Sequence, residues 1–122
     1  MSSITDTAKA IYDAYVAKNR AAAERLVADD FHFTSPLDNR LNRESYFTIC
    51  WTNLANTEGF EIVHMVKHGQ HVFATYEGQS KQSRFHNTEI LTVRDGQIGE
   101  VEVYFRWNVP HEVSVGEHRD PK

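Results

Sequence analysis

Apolar and polar residues alternate most sharply between Phe85 and Trp107, where two runs flank the pair Asp95-Gly96. That pair predicts a two-residue hairpin turn, because both of its residues tolerate the left-handed backbone such a turn needs. Side chains in a strand repeat every two residues, so the first arm carries Phe85, Asn87, Glu89, Leu91 and Val93 on one face. On the second arm Val101, Val103, Phe105 and Trp107 share a side, with Tyr104 opposite beside Glu102 and Arg106. Upstream the period changes. Ile4, Ala8, Ile11 and Tyr15 recur at helical spacing, widened by Tyr12 and Val16, and Ser3 or Thr5 can cap the first turn, which predicts a helix over roughly residues 4–18. Asn19 can cap a second short helix carrying Ala22, Ala23, Leu26 and Val27 and ending at Asp29-Asp30.

A short strand at Phe31-His32-Phe33-Thr34 stops at Pro36, and Asn42 opens a third helix in which Phe47, Cys50, Trp51 and Leu54 fit the i, i+3, i+4, i+7 template. After a turn at Asn56 to Gly59 come strands from Phe60 to Lys67 and from His71 to Gly78, joined by His68-Gly69-Gln70, then a looser Gln79 to Ser83 and the final hairpin. The order α-α-β-α-β-β-β-β predicts an α+β domain, three N-terminal helices gathered against a curved antiparallel sheet. At 122 residues the chain is read as a single domain, 1–122, with about 109–122 an extended C-terminal tail. Apolar residues on both sides of the last strands suggest a partner subunit, a homodimer being expected, although scattered exposed aromatics are also normal.

Composition narrows the partners. Thirteen basic residues, scattered, against seventeen acidic ones give a net charge of −4, which argues against a nucleic-acid surface. No stretch approaches the roughly 18 apolar residues of a membrane span and the first ten residues lack the apolar core of a signal peptide, so a cytoplasmic, non-membrane protein is expected. One cysteine, Cys50, excludes an internal disulfide and a thiol cluster. His64, His68 and His71 surround one turn but match no established ligand spacing, so no metal and no cofactor is expected.

Glu89 is the leading candidate for chemistry. A carboxylate on an apolar strand face needs a partner or a raised pKa, which fits a general acid or base or a hydrogen-bond donor to a ligand oxygen; the plainer reading is a cross-strand ion pair with a lysine or arginine. Asn87, on the same face, could orient a bound atom or satisfy a strand edge. Asp38, after Ser35-Pro36-Leu37, could act as a base at the cavity mouth, although Asp-Asn is also ordinary turn chemistry. Thr34 and Ser35 could bind a ligand or brace the loop. Tyr15, Phe47, Trp51 and Trp107 could wall a small-molecule pocket or simply fill the core. His32 could pair with Asp38, and Cys50 reads as a buried thiol rather than a nucleophile.

The element order, together with A-D-D-F-H-F-T-S-P before the third helix and N-T-E-I-L-T-V-R-D-G-Q-I-G-E-V-E-V-Y-F at the end, resembles the SnoaL-like branch of the nuclear transport factor 2-like superfamily. The resemblance spans about Thr5 to Val109. It implies a cone-shaped half-barrel with a deep apolar pocket, dimerisation through the sheet, and a range of activities that includes steroid isomerases, polyketide cyclases, dehydratases and epoxide hydrolases. The isomerase branch uses an aspartate base and an oxyanion hole of a tyrosine and a protonated aspartate. Carried over, the base falls at Ser35, the tyrosine at Ile11 with Tyr12 and Tyr15 nearby but rotated on the helix, and the protonated acid close to Glu89. Serine cannot serve as that base near neutral pH, so steroid isomerisation by that route is not expected. What the resemblance implies is a protein that binds a small apolar or carbonyl-bearing molecule, as an isomerase, cyclase or hydratase/hydrolase acting by proton transfer, or else as a non-catalytic binding or interaction module.

Overall fold

The computed structural model describes residues 3–51, 57–80, 84–105, 115, 116 and 118. The chain runs α1 (Ile4–Ala17), α2 (Arg20–Leu26), β1 (Val27–Ser35), β2 (Asp38–Asn42), α3 (Arg43–Ser45) with a π-helical turn at Tyr46–Cys50, β3 (Thr57–His68), β4 (His71–Ser80), β5 (Arg84–Arg94) and β6 (Gln97–Phe105). The strands form one six-stranded sheet in the order β2-β1-β6-β5-β4-β3. α1 packs across the face formed by β3 to β6. Its stripe of Ala8, Ile11, Tyr12 and Tyr15 joins Phe31, Val72, Leu91, Val93 and Ile98 in one buried core. None of the described helices is long and apolar enough to cross a membrane.

Local chemistry explains the boundaries. α1 starts at a capping box in which Ser3 and Asp6 satisfy each other's backbone N–H, and it ends at Lys18 in the left-handed region. The Lys18 ammonium then donates to the Thr57 carbonyl at 2.9 Å, tying the end of α1 to the start of β3. Asn19 caps α2 by accepting from the Ala22 N–H. Asp95 (φ 53°) and Gly96 (φ 76°) both have positive φ, as the hairpin between β5 and β6 demands.

The α+β architecture matches the sequence expectation, with four differences. First, residues 38–42 form a strand, β2, rather than a bare turn, pairing with β1 through His32↔Asn42, Phe33↔Leu41 and Ser35↔Asp38. This strand is short and polar, with Arg40 at φ 51°, so it carries no two-residue apolar rhythm for a sequence reading to find. Second, β1 runs parallel to β6, with Phe33 beside Val101, so the sheet is mixed rather than wholly antiparallel. Side-chain alternation fixes a strand's faces but not its direction. Third, the third helix widens into a π turn in which the Trp51 N–H reaches the Tyr46 carbonyl, and two consecutive residues, Tyr46 and Phe47, become buried. α2 also gives way to strand at Val27, before the expected stop at Asp29-Asp30.

Alternation sorts the sheet's two faces. Val72, Ala74, Tyr76 and Gly78 of β4 and Asn87, Glu89, Leu91 and Val93 of β5 point inward and are buried. Outward, Val66, Phe73, Ile90 and Glu102 stand side by side across four strands, and Val66 is 60% and Phe73 38% exposed. A concavity of about 260 Å³ opens on this outer face, lined by His71, Phe73, Ile90, Thr92, Glu100 and Glu102.

Gly78 shows how closely the inner face is packed. It stands opposite Phe85, and a β-carbon added there would overlap the Phe85 ring. Replacing Gly78 by Val must push that ring out of place, and overpacking of this kind costs about 1–3 kcal/mol. Gly78→Val should therefore lower the thermal unfolding midpoint by several degrees, measured by circular dichroism, while Gly59→Val, with open space where its β-carbon would stand, should not.

Candidate active site

Glu89 sits in the middle of β5 between Ala74 on β4 and Val103 on β6, so neither cross-strand neighbour can neutralise it. No ion pair reaches it among the described residues, which removes the ion-pair reading. Two phenols hold it instead. Tyr12 on α1 donates to Oε2 at 2.7 Å and Tyr76 on β4 donates to Oε1 at 2.7 Å. Asn87 Nδ2 in turn donates to the Tyr76 hydroxyl at 3.3 Å. The result is a directed chain, Asn87 to Tyr76 to Glu89, met from the other side by Tyr12. β5 is an interior strand, so Asn87 is not satisfying a sheet edge. Its Oδ1 is buried and accepts from no group among the described residues.

Burial pushes the Glu89 carboxyl above its ordinary value, and the hydrogen bonds from Tyr12 and Tyr76 pull it partly back. Burial likewise raises the Tyr12 and Tyr76 phenols, reinforced by the nearby Glu89 charge. A buried carboxyl with a raised pKa and no cation among the described residues keeps its proton to higher pH than a free one, which suits a general acid or base.

Aromatic rings surround this cluster. Phe60 lies 5.1 Å from Tyr76 and 6.0 Å from Tyr12, centroid to centroid, and Phe85 packs edge-on to Phe60 and Tyr76. Tyr15 packs on Tyr12, Phe60 and Trp51. Phe60, Phe85 and Trp51 are only partly buried, while Tyr12, Tyr15 and Tyr76 are enclosed.

A family comparison matches residues 8–101 to the SnoaL-like domain. The chain belongs to the SnoaL-like family. Solved structures agree on the fold. An NTF2-like protein of unknown function from Cytophaga hutchinsonii superposes with a TM-score of 0.72 at 20% identity, over 86% of this chain and 91% of that one. A ketosteroid isomerase candidate from Kribbella flavida superposes at 0.72 and 15% identity, over 98% and 90%. IdmH, a polyketide cyclase candidate from Streptomyces antibioticus, superposes at 0.68 and 18% identity, over 86% and 93%. Comparison with curated proteins finds no match.

Within this SnoaL-like cone the residues singled out from sequence separate into groups. Glu89 and Asn87 lie in one cluster. Tyr15 borders it, but its hydroxyl pairs with Tyr46 rather than with Glu89. Ser35 and Asp38 form a separate pair in which Ser35 Oγ donates to Asp38 at 2.7 Å and accepts from the Leu37 N–H, so both hydroxyl and carboxylate brace the β1–β2 turn. Thr34 accepts from the Arg40 N–H and stands beside Glu102, away from the helices; it braces the hairpin and does not line the site. His32 stands opposite Asn42 and shares no hydrogen bond with Asp38. Phe47 is buried against Tyr46 and Trp51, with the Arg20 and Arg43 guanidinium groups over its ring at 5.4 and 5.3 Å, a structural position rather than a pocket wall. Cys50 is held inert, its thiol pushed up to about 12 by burial and by Asp38. Trp107, Leu54 and nearly all of the tail lie outside the described residues.

Three tyrosines complete the site and were not singled out: Tyr76, Tyr46, and Tyr12 as the partner of Glu89. Tyr76 had a usable signal, since pairing the Gly78 and Phe85 ends of β4 and β5 sets it directly opposite Asn87. Tyr12 corrects the carry-over from the isomerase pattern: Ile11 is buried in the core, and Tyr12 is the residue that reaches the carboxyl.

The raised Glu89 pKa has a signed consequence for stability. Below the unfolded value of 4.5 the proton is on in both states and the group contributes fully; as pH rises through the higher folded value that contribution is lost. Thermal midpoints from pH 4 to 8 should therefore fall more for wild type than for Glu89→Gln, with the difference growing as pH rises. Tyr12→Phe removes a hydrogen bond to the charged form, so it should move the Glu89 pKa further upward, read by carboxyl-carbon NMR titration. Above that pKa it should also cost about 1.5–3 kcal/mol of stability.

Proposed function

We propose that this SnoaL-like protein binds a small, largely apolar, carbonyl-bearing molecule between α1 and the inner sheet face and exchanges a proton with it through Glu89. The observation that carries this reading is a buried carboxyl with no cationic partner among the described residues, held by two phenols inside a wall of aromatic rings. Protonated, Glu89 can donate to a ligand oxygen; ionised, it can remove a proton from a carbon beside a carbonyl. Isomerisation, cyclisation, and the addition or loss of water are the reaction classes that need such a group. Partly buried Trp51, Phe60 and Phe85 supply the apolar contact area. Because Ser35 occupies the place of the isomerase base and is committed to Asp38, the proton exchange is assigned to Glu89 rather than to the turn.

A second reading, a binding module without turnover, draws support from the same geometry, since both Glu89 oxygens already accept hydrogen bonds from protein. Turnover separates the two. Unfolding midpoints measured with small aromatic, lactone, epoxide and enone compounds should rise for wild type and not for Glu89→Leu with at least one compound. Product from that compound, lost by a factor of 100 or more in Glu89→Gln, supports the enzyme; stabilisation without product supports the binding module. No shift with any compound, together with a Glu89→Leu variant at least as stable as wild type, would sink both.

The outer sheet face is the surface we assign to a second copy. Val66, Phe73 and Ile90 form a continuous apolar row there, and an isologous dimer requires one such self-complementary patch. The single cysteine suits a reducing, cytoplasmic setting. Sedimentation should give a dimer for wild type and a monomer for Phe73→Lys with unchanged circular dichroism; a wild-type monomer at tens of micromolar would remove the assignment.

A further inference from the structure

Among the described residues two buried side-chain atoms lack a hydrogen-bond partner, Arg43 Nε and Asn87 Oδ1. The second lies in the site. Asn87 is 8% exposed, and its amide nitrogen is fixed on the Tyr76 hydroxyl. That hydroxyl has one proton, and Glu89 Oε1 takes it. Tyr76 therefore has nothing left to give Asn87, so the amide must turn its nitrogen toward Tyr76 and its oxygen away. The Tyr12 proton is likewise spent on Glu89. Both hydroxyls that reach Glu89 are spent on the carboxyl, and the buried atom beside them that has no partner among the described residues is an acceptor.

We infer that Asn87 Oδ1 is the atom that reads the ligand, and that the ligand carries a hydroxyl or enol O–H in addition to the apolar body and carbonyl of the proposed function, on which this inference rests. A molecule offering only acceptors leaves Oδ1 unpaired in an apolar surround and gains nothing from it. A molecule with an O–H satisfies it, and a site built to pair with a hydroxyl rejects the analogue that lacks one. Asn87 is thus a specificity-determining residue, distinct from the proton exchange at Glu89. The flat faces of Phe60, Phe85 and Tyr76 around it favour a planar ring system as the body.

The test uses a matched pair of planar probes, 2-naphthol and 2-methylnaphthalene, titrated at pH 8 into wild type and Asn87→Leu by calorimetry or intrinsic fluorescence. Wild type should prefer 2-naphthol by about tenfold or more, and Asn87→Leu should reduce that preference to within about twofold while binding 2-methylnaphthalene at least as well as wild type does. Should the variant fail to fold, the Asn87 side-chain amide signals of labelled wild type decide: they should shift with 2-naphthol and stay in place with 2-methylnaphthalene. Equal binding of the two probes by wild type, or a preference retained in Asn87→Leu, overturns the role of Asn87 and leaves the proposed binding site standing. Binding of neither probe removes the proposed apolar binding site and this inference with it.

Discussion

A carboxyl group removed from water, with no counter-charge among the described residues, is the constraint around which this molecule is organised. Glu89 can be tolerated at the centre of β5 only because two phenols reach it from two different elements, one from α1 and one from β4. That requirement fixes where α1 lies on the sheet, which of its faces points inward, and which ring stands beside which. Hydrophobic burial alone would allow α1 to slide or rotate by a few ångströms at small expense. A 2.7 Å hydrogen bond to a buried oxygen would not.

The sheet does two jobs with one repeat. Its inward residues combine aliphatic core at one end, around Val72, Leu91, Val93 and Ile98, with the polar and aromatic cluster around Tyr76, Asn87 and Glu89 at the other. Its outward residues alternate with these and leave Val66, Phe73 and Tyr104 in contact with solvent. Site and surface are therefore linked by adjacent positions of the same strands: Phe73 and Ile90 face out directly beside Ala74 and Glu89, which face in.

Much of this was legible in the sequence because it depends on short-range rules. The Asp95-Gly96 hairpin, the α1 stripe and the shared face of Asn87 and Glu89 follow from turn chemistry and from the helical and strand periods. What was not legible depends on packing between distant segments. Tyr12 and Glu89 are 77 positions apart, and which tyrosine of α1 meets the carboxyl is decided by how the helix sits on the sheet. The π turn buries Tyr46 beside Phe47, and that burial depends on how the turn packs on β1 rather than on the spacing of apolar residues. β2 escaped because a short polar strand looks like a loop. Ser35 and Asp38 were read as separate candidates and prove to be hydrogen-bonded to each other across a turn, since short-range rules cannot distinguish a hydroxyl bracing a backbone from one waiting for a ligand.

The parallel pairing of β1 with β6 brings Val27 beside Ile98 and Phe33 beside Val101. Hairpins from β3 through β6 can form between chain neighbours, but this seam must close a loop spanning most of the molecule, and contacts of that separation form slowly. A nascent chain emerging from the ribosome would hold α1, α2 and β1 without their sheet until the last strand is made. During that interval the Glu89 carboxyl is still hydrated and the aromatic face of α1 is uncovered. The site is thus among the last parts of the molecule to exist, and the time before it closes is when the chain is most open to aggregation and to chaperones.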